Sequence, residues 1–218
     1  MTTPGRQFNA AVTRFWSFAA PAYDLPFLQR WVYRPAQDEV IAKLRAAGSQ
    51  RIADIACGTG ILAARIKDEL NPPEVYGVDM SDGMLEQAKA RSPKVRWMKG
   101  PAERLPFEDA SLDAVITTSA FHWFDQPAAM REFHRVLVPG GLVGVATITP
   151  PLPKVFSRFA PDNSVMHSPS PAEMRKLFTD AGFEITDQRP VQRPVWTLMV
   201  SDLLTVGVKG PATGKAKG

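Results

Sequence analysis

The sequence predicts an α/β domain in which helices flank a mainly parallel sheet. Three observations lead there. From about residue 35 onward, short apolar runs alternate with stretches of helical periodicity, as repeated βα units require. Residues 52–60, Ile-Ala-Asp-Ile-Ala-Cys-Gly-Thr-Gly, read as a strand that runs into a glycine turn and opens a helix. The 218 residues, 44% of them hydrophobic, suit one domain, or one domain with a short appendage, and can bury a sizeable core.

The first helix is marked by Val40, Ile41, Leu44 and Ala47 on one face, with Gly48 to end it. Strands are predicted at 51–56, 74–79, 95–99, 112–118 and 142–149. Leu62, Ile66 and Leu70 recur at every fourth residue, so 61–70 reads as a helix, which Asn71-Pro72-Pro73 stops. The next helix starts at Ser81 and carries Met84, Leu85 and Ala88. Met130, Phe133 and Leu137 place another over 127–137, between the start signals Asp125 and Pro127 and the turn Pro139-Gly140-Gly141.

Residues 150–169, rich in proline and serine, read as a loop. Ser170-Pro171-Ala172-Glu173 then has the spacing of a capping box, and Met174, Leu177, Phe178 and Ala181 give its helix a buried face. Two strands near 183–189 and 195–206 complete a domain spanning 35–208. The last ten residues hold three lysines and no acid and are expected to be a disordered tail. The first 34 residues hold eight aromatics, with Val12, Phe15, Trp16 and Ala19 on one helical face. They are expected either to pack on the core or to form a lid that covers a ligand and excludes water.

Bulk properties narrow the function. The single cysteine, Cys57, excludes an internal disulfide framework and a thiolate cluster. No spacing of histidine and acid suggests a metal site. No run approaches the roughly 18 apolar residues of a membrane span, and the N-terminus lacks a secretory pattern, so a cytoplasmic location is the expectation. The net charge is only +4, and the core lacks a basic stripe for nucleic acid. A small-molecule substrate is therefore expected, with the oligomeric state open.

Gly58-x-Gly60-x-x-Ala63 also fits a dinucleotide turn, and Asp79, 19 residues beyond Gly60, can accept hydrogen bonds from the ribose of any adenosine cofactor. Asp54 is what separates the cofactors. It sits near the end of the first strand, next to the place where a dinucleotide would put its pyrophosphate, and two like charges about 4 Å apart repel by roughly 4 kcal/mol at an effective dielectric of 20. A ligand bearing an ammonium and a sulfonium is attracted there instead, while the helix N-terminus receives its carboxylate. A cap role for Asp54 or Asp79 stays open, as does a nicotinamide-dependent oxidoreductase or a non-catalytic binding protein on the same scaffold.

Four blocks, IADIACGTG, VYGVDMSDGMLEQAKAR, GPAERLPFEDASLDAVITTSAFHWF and FHRVLVPGGLVGVAT, run in order over residues 51–147, and SPAEMRKLFTDAGFE follows. In these the chain resembles the class I S-adenosylmethionine-dependent methyltransferases, of the type 11 group that includes ubiquinone/menaquinone-type and trans-aconitate-type enzymes. The resemblance implies a Rossmann-like, seven-stranded sheet with a reversed final hairpin and S-adenosyl-L-methionine as cofactor. It also implies that Asp54, Ala56, Gly58 and Gly60 surround the methionine part and that Asp79 holds the ribose. Met80 would pack on the adenine, Ala102 and Glu103 would lie at its edge, and Ser119 near the sulfonium. Tyr23, in Tyr23-Asp24, would close over the cofactor. Two positions depart from the family: Ala56 replaces the first glycine of the turn, and Pro101 replaces the aspartate that reaches the adenine amine.

His122 follows the fourth strand and should face the ligand crevice, where an ordinary histidine pKa near 6.5 suits a general base. A histidine packed against Trp123 is the alternative. Trp16, Tyr23, His122 and Trp123 together suggest an aromatic pocket for a small organic acceptor, such as a phenol, a heterocycle or a carboxylic acid. His134 and His167 are expected at the surface.

Overall fold

The computed structural model describes residues 27, 29–149, 167–193 and 201–211. Trp16 and Tyr23, most of the predicted lid, residues 150–166 of the proline-serine loop, residues 195–200 of the last predicted strand, and the tail from residue 212 lie outside the described residues.

Seven strands form one sheet: β1 (Arg51–Ile55), β2 (Glu74–Asp79), β3 (Arg96–Lys99), β4 (Leu112–Thr118), β5 (Leu137–Thr149), β6 (Phe183–Pro190) and β7 (Ser201–Lys209). Their order is β3-β2-β1-β4-β5-β7-β6. The first five pair in parallel, and β7 runs antiparallel between β5 and β6. The expected parallel sheet with a reversed final hairpin is therefore present.

Among the described residues five α-helices flank the sheet: α1 (Arg34–Ala47), α2 (Ile61–Leu70), α3 (Asp82–Arg91), α4 (Gln126–Val136) and α5 (Pro171–Asp180). A π-helical turn, Gln29–Tyr33, precedes α1, and a 3₁₀ turn, Phe121–Trp123, follows β4. Alternation along each parallel strand divides the core in two. On one face Ile52, Val75, Ala114 and Ile116 meet Val40, Ile41 and Leu44 of α1 and Leu62 and Ile66 of α2. On the other Ala53, Ile55, Val115, Val143 and Val145 meet Met130 and Phe133 of α4 and Met174 and Phe178 of α5.

The helix signals work as their chemistry requires. Gly48 ends α1 in the left-handed region at φ 62°, and the Ser81 side chain accepts from the Met84 amide at the start of α3. Ser170 and Glu173 form a complete capping box on α5.

Two boundaries move. The fifth strand begins at Leu137 rather than 142, because Leu137 already pairs with Leu112 and its side chain is wholly buried. Its apolar character therefore belonged to the sheet, not to a last helical turn. The final strand is Ser201–Lys209, ending three residues beyond the predicted 206; Val208 pairs with Leu142 and Glu184, and the Lys209 ammonium donates to the His134 and Leu137 carbonyls at 2.7 Å. The lysine that was expected to open the tail is thus held by backbone acceptors. No described helix is long and apolar enough to cross a membrane.

Candidate functional site

The sheet order reverses at β1, whose neighbours are β2 on one side and β4 on the other. The crevice at such a switch point opens at the carboxyl ends of the strands. Asp54 lies on β1 opposite Gly77, and Asp79 is two residues further along β2, so both carboxylates project from the same face of the sheet.

Between them runs the glycine turn. Ala56, Gly58 and Gly60 all have positive φ, at 55°, 56° and 79°. Left-handed residues at alternate positions fold the chain back sharply enough for the Gly60 amide to donate to the Cys57 carbonyl at 3.0 Å. Asp79 braces this turn: its Oδ2 accepts from the Gly58 amide at 2.9 Å and its Oδ1 from the Ser81 amide at 2.8 Å. A carboxylate offers about four lone-pair sites, so Asp79 retains acceptor capacity for ribose hydroxyls.

Asp54 is only 2% exposed, and its Oδ2 has no hydrogen-bond partner. Burial, with the Asp79 charge adding to it, pushes the Asp54 carboxyl up to about 8, while an amide donated by Ala63 works the other way. Burial also raises Asp79, against the pull of its amide donors. A buried carboxyl with an orphaned oxygen holds its proton near neutral pH and ionises readily only when a positive partner binds beside it. The ammonium of S-adenosylmethionine supplies one, whereas a pyrophosphate adds further negative charge beside Asp79. The residues present fit the former.

The glycines divide their work. A Cβ on Gly60 would meet the Ala88 Cβ and the Trp97 ring Cζ3, both at 2.9 Å, and Gly77 also backs onto the Trp97 ring. Gly60 is thus required by the packing of Trp97 as well as by the turn. The Trp97 indole donates to the Ser92 carbonyl at 2.9 Å, and the Arg91 side chain donates to the Thr59 carbonyl at 2.8 Å. Trp97 and Arg91 were not legible as site-shaping residues, because both reach the turn from elements remote in sequence. Cys57 is buried beside the turn, and burial holds its thiol well above the usual range, so the nucleophilic thiolate is disfavoured.

The remaining predicted positions lie on other segments. Met80 directly follows Asp79 and is half-buried, and Ala102 is buried. Glu103 Oε1 accepts from the Asp125 amide at 2.9 Å, where Asp125 itself caps α4, so this carboxylate has a structural partner. Ser119 sits in the left-handed region at φ 56°, and its amide donates to the Ala146 carbonyl at 2.8 Å.

His122 is buried, its Nδ1 has no partner, and its ring lies 5.0 Å from that of Trp123. Burial lowers its pKa to about 4. The ordinary value that suited a general base therefore does not hold in this surrounding; the imidazole is neutral at pH 7. His134 is half-buried, with its ring edge-on to Phe183, and His167 is exposed. Among the described residues no cluster of histidine, cysteine and acid has the makings of a metal site.

With this geometry in place, comparison with known proteins gives a consistent answer. A methyltransferase domain family matches residues 53–145. A demethylmenaquinone methyltransferase of Deinococcus radiodurans is 34% identical over 153 residues, which is 67% of this chain and 64% of that protein. The chain thus spans less than two thirds of that relative's length. A demethylmenaquinone methyltransferase of Chlorobaculum tepidum is 31% identical over 174 residues, covering 68% of this chain and 72% of the relative. Among solved structures, a methyltransferase from Haloferax volcanii, in complex with the Trm112 methyltransferase activator, superposes with a TM-score of 0.75 at 22% identity. That match covers 89% of this chain and 97% of the other, and it supports the fold.

Proposed function

We propose that this chain, which belongs to the class I S-adenosylmethionine-dependent methyltransferase family, transfers the methyl group of that cofactor to a small organic acceptor. The single observation that carries the reading is the buried, unpartnered Oδ2 of Asp54 beside the glycine turn. When bound, S-adenosylmethionine supplies a methyl group on an activated sulfonium, open to in-line displacement.

The chain's own residues have the tasks of binding, orienting and excluding water. Asp54 receives the ammonium and Asp79 the ribose hydroxyls. The backbone of Ala56, Gly58 and Gly60 gives the ligand close access, and the N-terminus of α2 faces its carboxylate. Met80, Ala102 and Glu103 border the adenine, and Ser119 borders the sulfonium.

His122 and Trp123 line the acceptor side. A neutral imidazole with a free Nδ1 accepts a hydrogen bond from an acceptor hydroxyl or amine and takes its proton as positive charge builds there. The acceptor is a phenol, a heterocycle or a carboxylic acid; the names of the relatives add quinol-type rings to that set. Incubation with isotope-labelled methyl donor and a panel of these acceptors tests the reading. Label transfer to at least one class is expected, and turnover of a nicotinamide cofactor instead would overturn it.

A further inference from the structure

Next to Ile61, which directly follows the turn, lies a cavity of about 500 Å³ lined by Gln29, Arg30, Arg34, Gln37, Ile61 and Arg65. Resting on the methyltransferase reading, we propose that this cavity binds a carboxylate or phosphate carried by the methyl acceptor.

Charge is the first reason. Three arginines line one cavity, and only Arg65 is fully engaged. Its guanidinium donates to Gln37 Oε1 at 3.0 Å and Glu69 Oε1 at 2.9 Å and pairs with Asp38. Those contacts fix Arg65 in place. Arg34 approaches Asp38 only at 3.8 Å, with both side chains more than half exposed, a pairing worth little in water. Arg30 rests on the ring of its neighbour Trp31, 5.0 Å from the centroid, a contact that leaves a guanidinium's edge donors available. The planar forks of Arg30 and Arg34 suit a carboxylate or phosphate.

The backbone adds to this. Both α1 and α2 begin at the cavity, since Arg34 and Gln37 belong to the first turn of one and Ile61 opens the other. The first has no acid in its first turn and no side chain capping its N-terminus, whereas Asp54 takes the Ala63 amide in the first turn of the second. By contrast α3, α4 and α5 are capped by Ser81, Asp125 and Ser170. The positive end of α1 thus stays uncompensated beside the arginines.

Size and place identify the occupant. A cavity of this volume lies in the range that holds a whole small molecule, far more than one cofactor carboxylate fills. Its lining contains none of Asp54, Gly58 and Asp79, yet Ile61 directly follows Gly60. An acceptor seated here by its anionic group reaches the crevice from the side of α1.

Calorimetric titration of pyrophosphate and of malonate into the full chain saturated with S-adenosylhomocysteine tests this. At least one oxyanion should bind, more weakly as salt rises, and Arg30→Ala/Arg34→Ala should weaken it at least about tenfold while S-adenosylhomocysteine affinity stays within about twofold. The stronger of the two anions tells phosphate from carboxylate. No oxyanion binding, or equal binding by the double variant, would overturn the proposal and leave the methyltransferase reading standing. Loss of S-adenosylhomocysteine affinity in the double variant would also overturn it, assigning the arginines to the cofactor. If S-adenosylhomocysteine fails to bind the wild-type chain, both the reading and the proposal fall. A melting temperature within a few degrees of wild type checks that the double variant is folded.

Discussion

Trp97 of β3 occupies the space that a side chain on Gly60 would need, so the ligand turn and the outer part of the sheet are packed as one unit. Gly60 also sits at φ 79°, where an L side chain is strained. Gly60→Ala should therefore destabilise the protein by about 3 kcal/mol, combining overpacking with left-handed strain. Pairing it with Trp97→Leu should recover part of the loss. Urea denaturation of the two single variants and the double variant checks this, and simple additivity would show that the clash is not what costs stability.

Ala56 gives the opposite expectation. It holds a positive φ of 55°, in the left-handed region that favours glycine. Ala56→Gly should relieve about 1 kcal/mol of strain, partly offset by the greater freedom of the unfolded chain. A rise in the denaturation midpoint, with cofactor affinity kept, is the expected result.

Asp54 makes the free protein sensitive to pH. Its folded pKa is raised from the ordinary carboxyl value to about 8. Between about pH 4 and 8 the folded state therefore retains a proton that the unfolded state has released, and stability falls as pH rises through that window. Asp54→Asn should remove this component, which a comparison of urea midpoints at several pH values will show. Cofactor binding should follow the reverse course. An ammonium favours the ionised carboxylate, so binding below pH 8 releases a proton and strengthens as pH rises towards 8.

His122 should not impose a pKa near 6.5 on turnover, because burial lowers it to about 4. As a lowered histidine it supports the fold above pH 6.5, and that support is lost as pH falls from 6.5 through 4. His122→Ala should reduce kcat by about tenfold or more and change S-adenosylhomocysteine affinity little. Equal kcat in variant and wild type would remove His122 from the acceptor side.

Much of this architecture was legible because its signals are local. The Ser170–Glu173 box, the Ser81 cap and the Gly48 stop each work within a few residues of chain, and all three act in the fold. Asp54 and Asp79 could be singled out for a similar reason, since each lies at or near the carboxyl end of a strand. What the sequence did not reveal depends on contacts between remote segments. Leu137 read as helix because its pairing with Leu112 decides its state. Trp97 read as an ordinary strand residue, although it shapes the turn. The arginine-lined cavity joins residues from two helices and a π-helical turn, which no spacing rule links. The His122 pKa depended on a depth of burial that periodicity does not give.

The most direct test of the central claim is calorimetric titration of S-adenosylhomocysteine and NAD into the full chain at about pH 8.5, where Asp54 is largely ionised. The account predicts one-to-one binding of S-adenosylhomocysteine and no NAD binding, with Asp54→Asn weakening the former by about tenfold to a hundredfold, as loss of a buried charge-assisted hydrogen bond requires. NAD binding without S-adenosylhomocysteine binding, or undiminished affinity in Asp54→Asn, would contradict it.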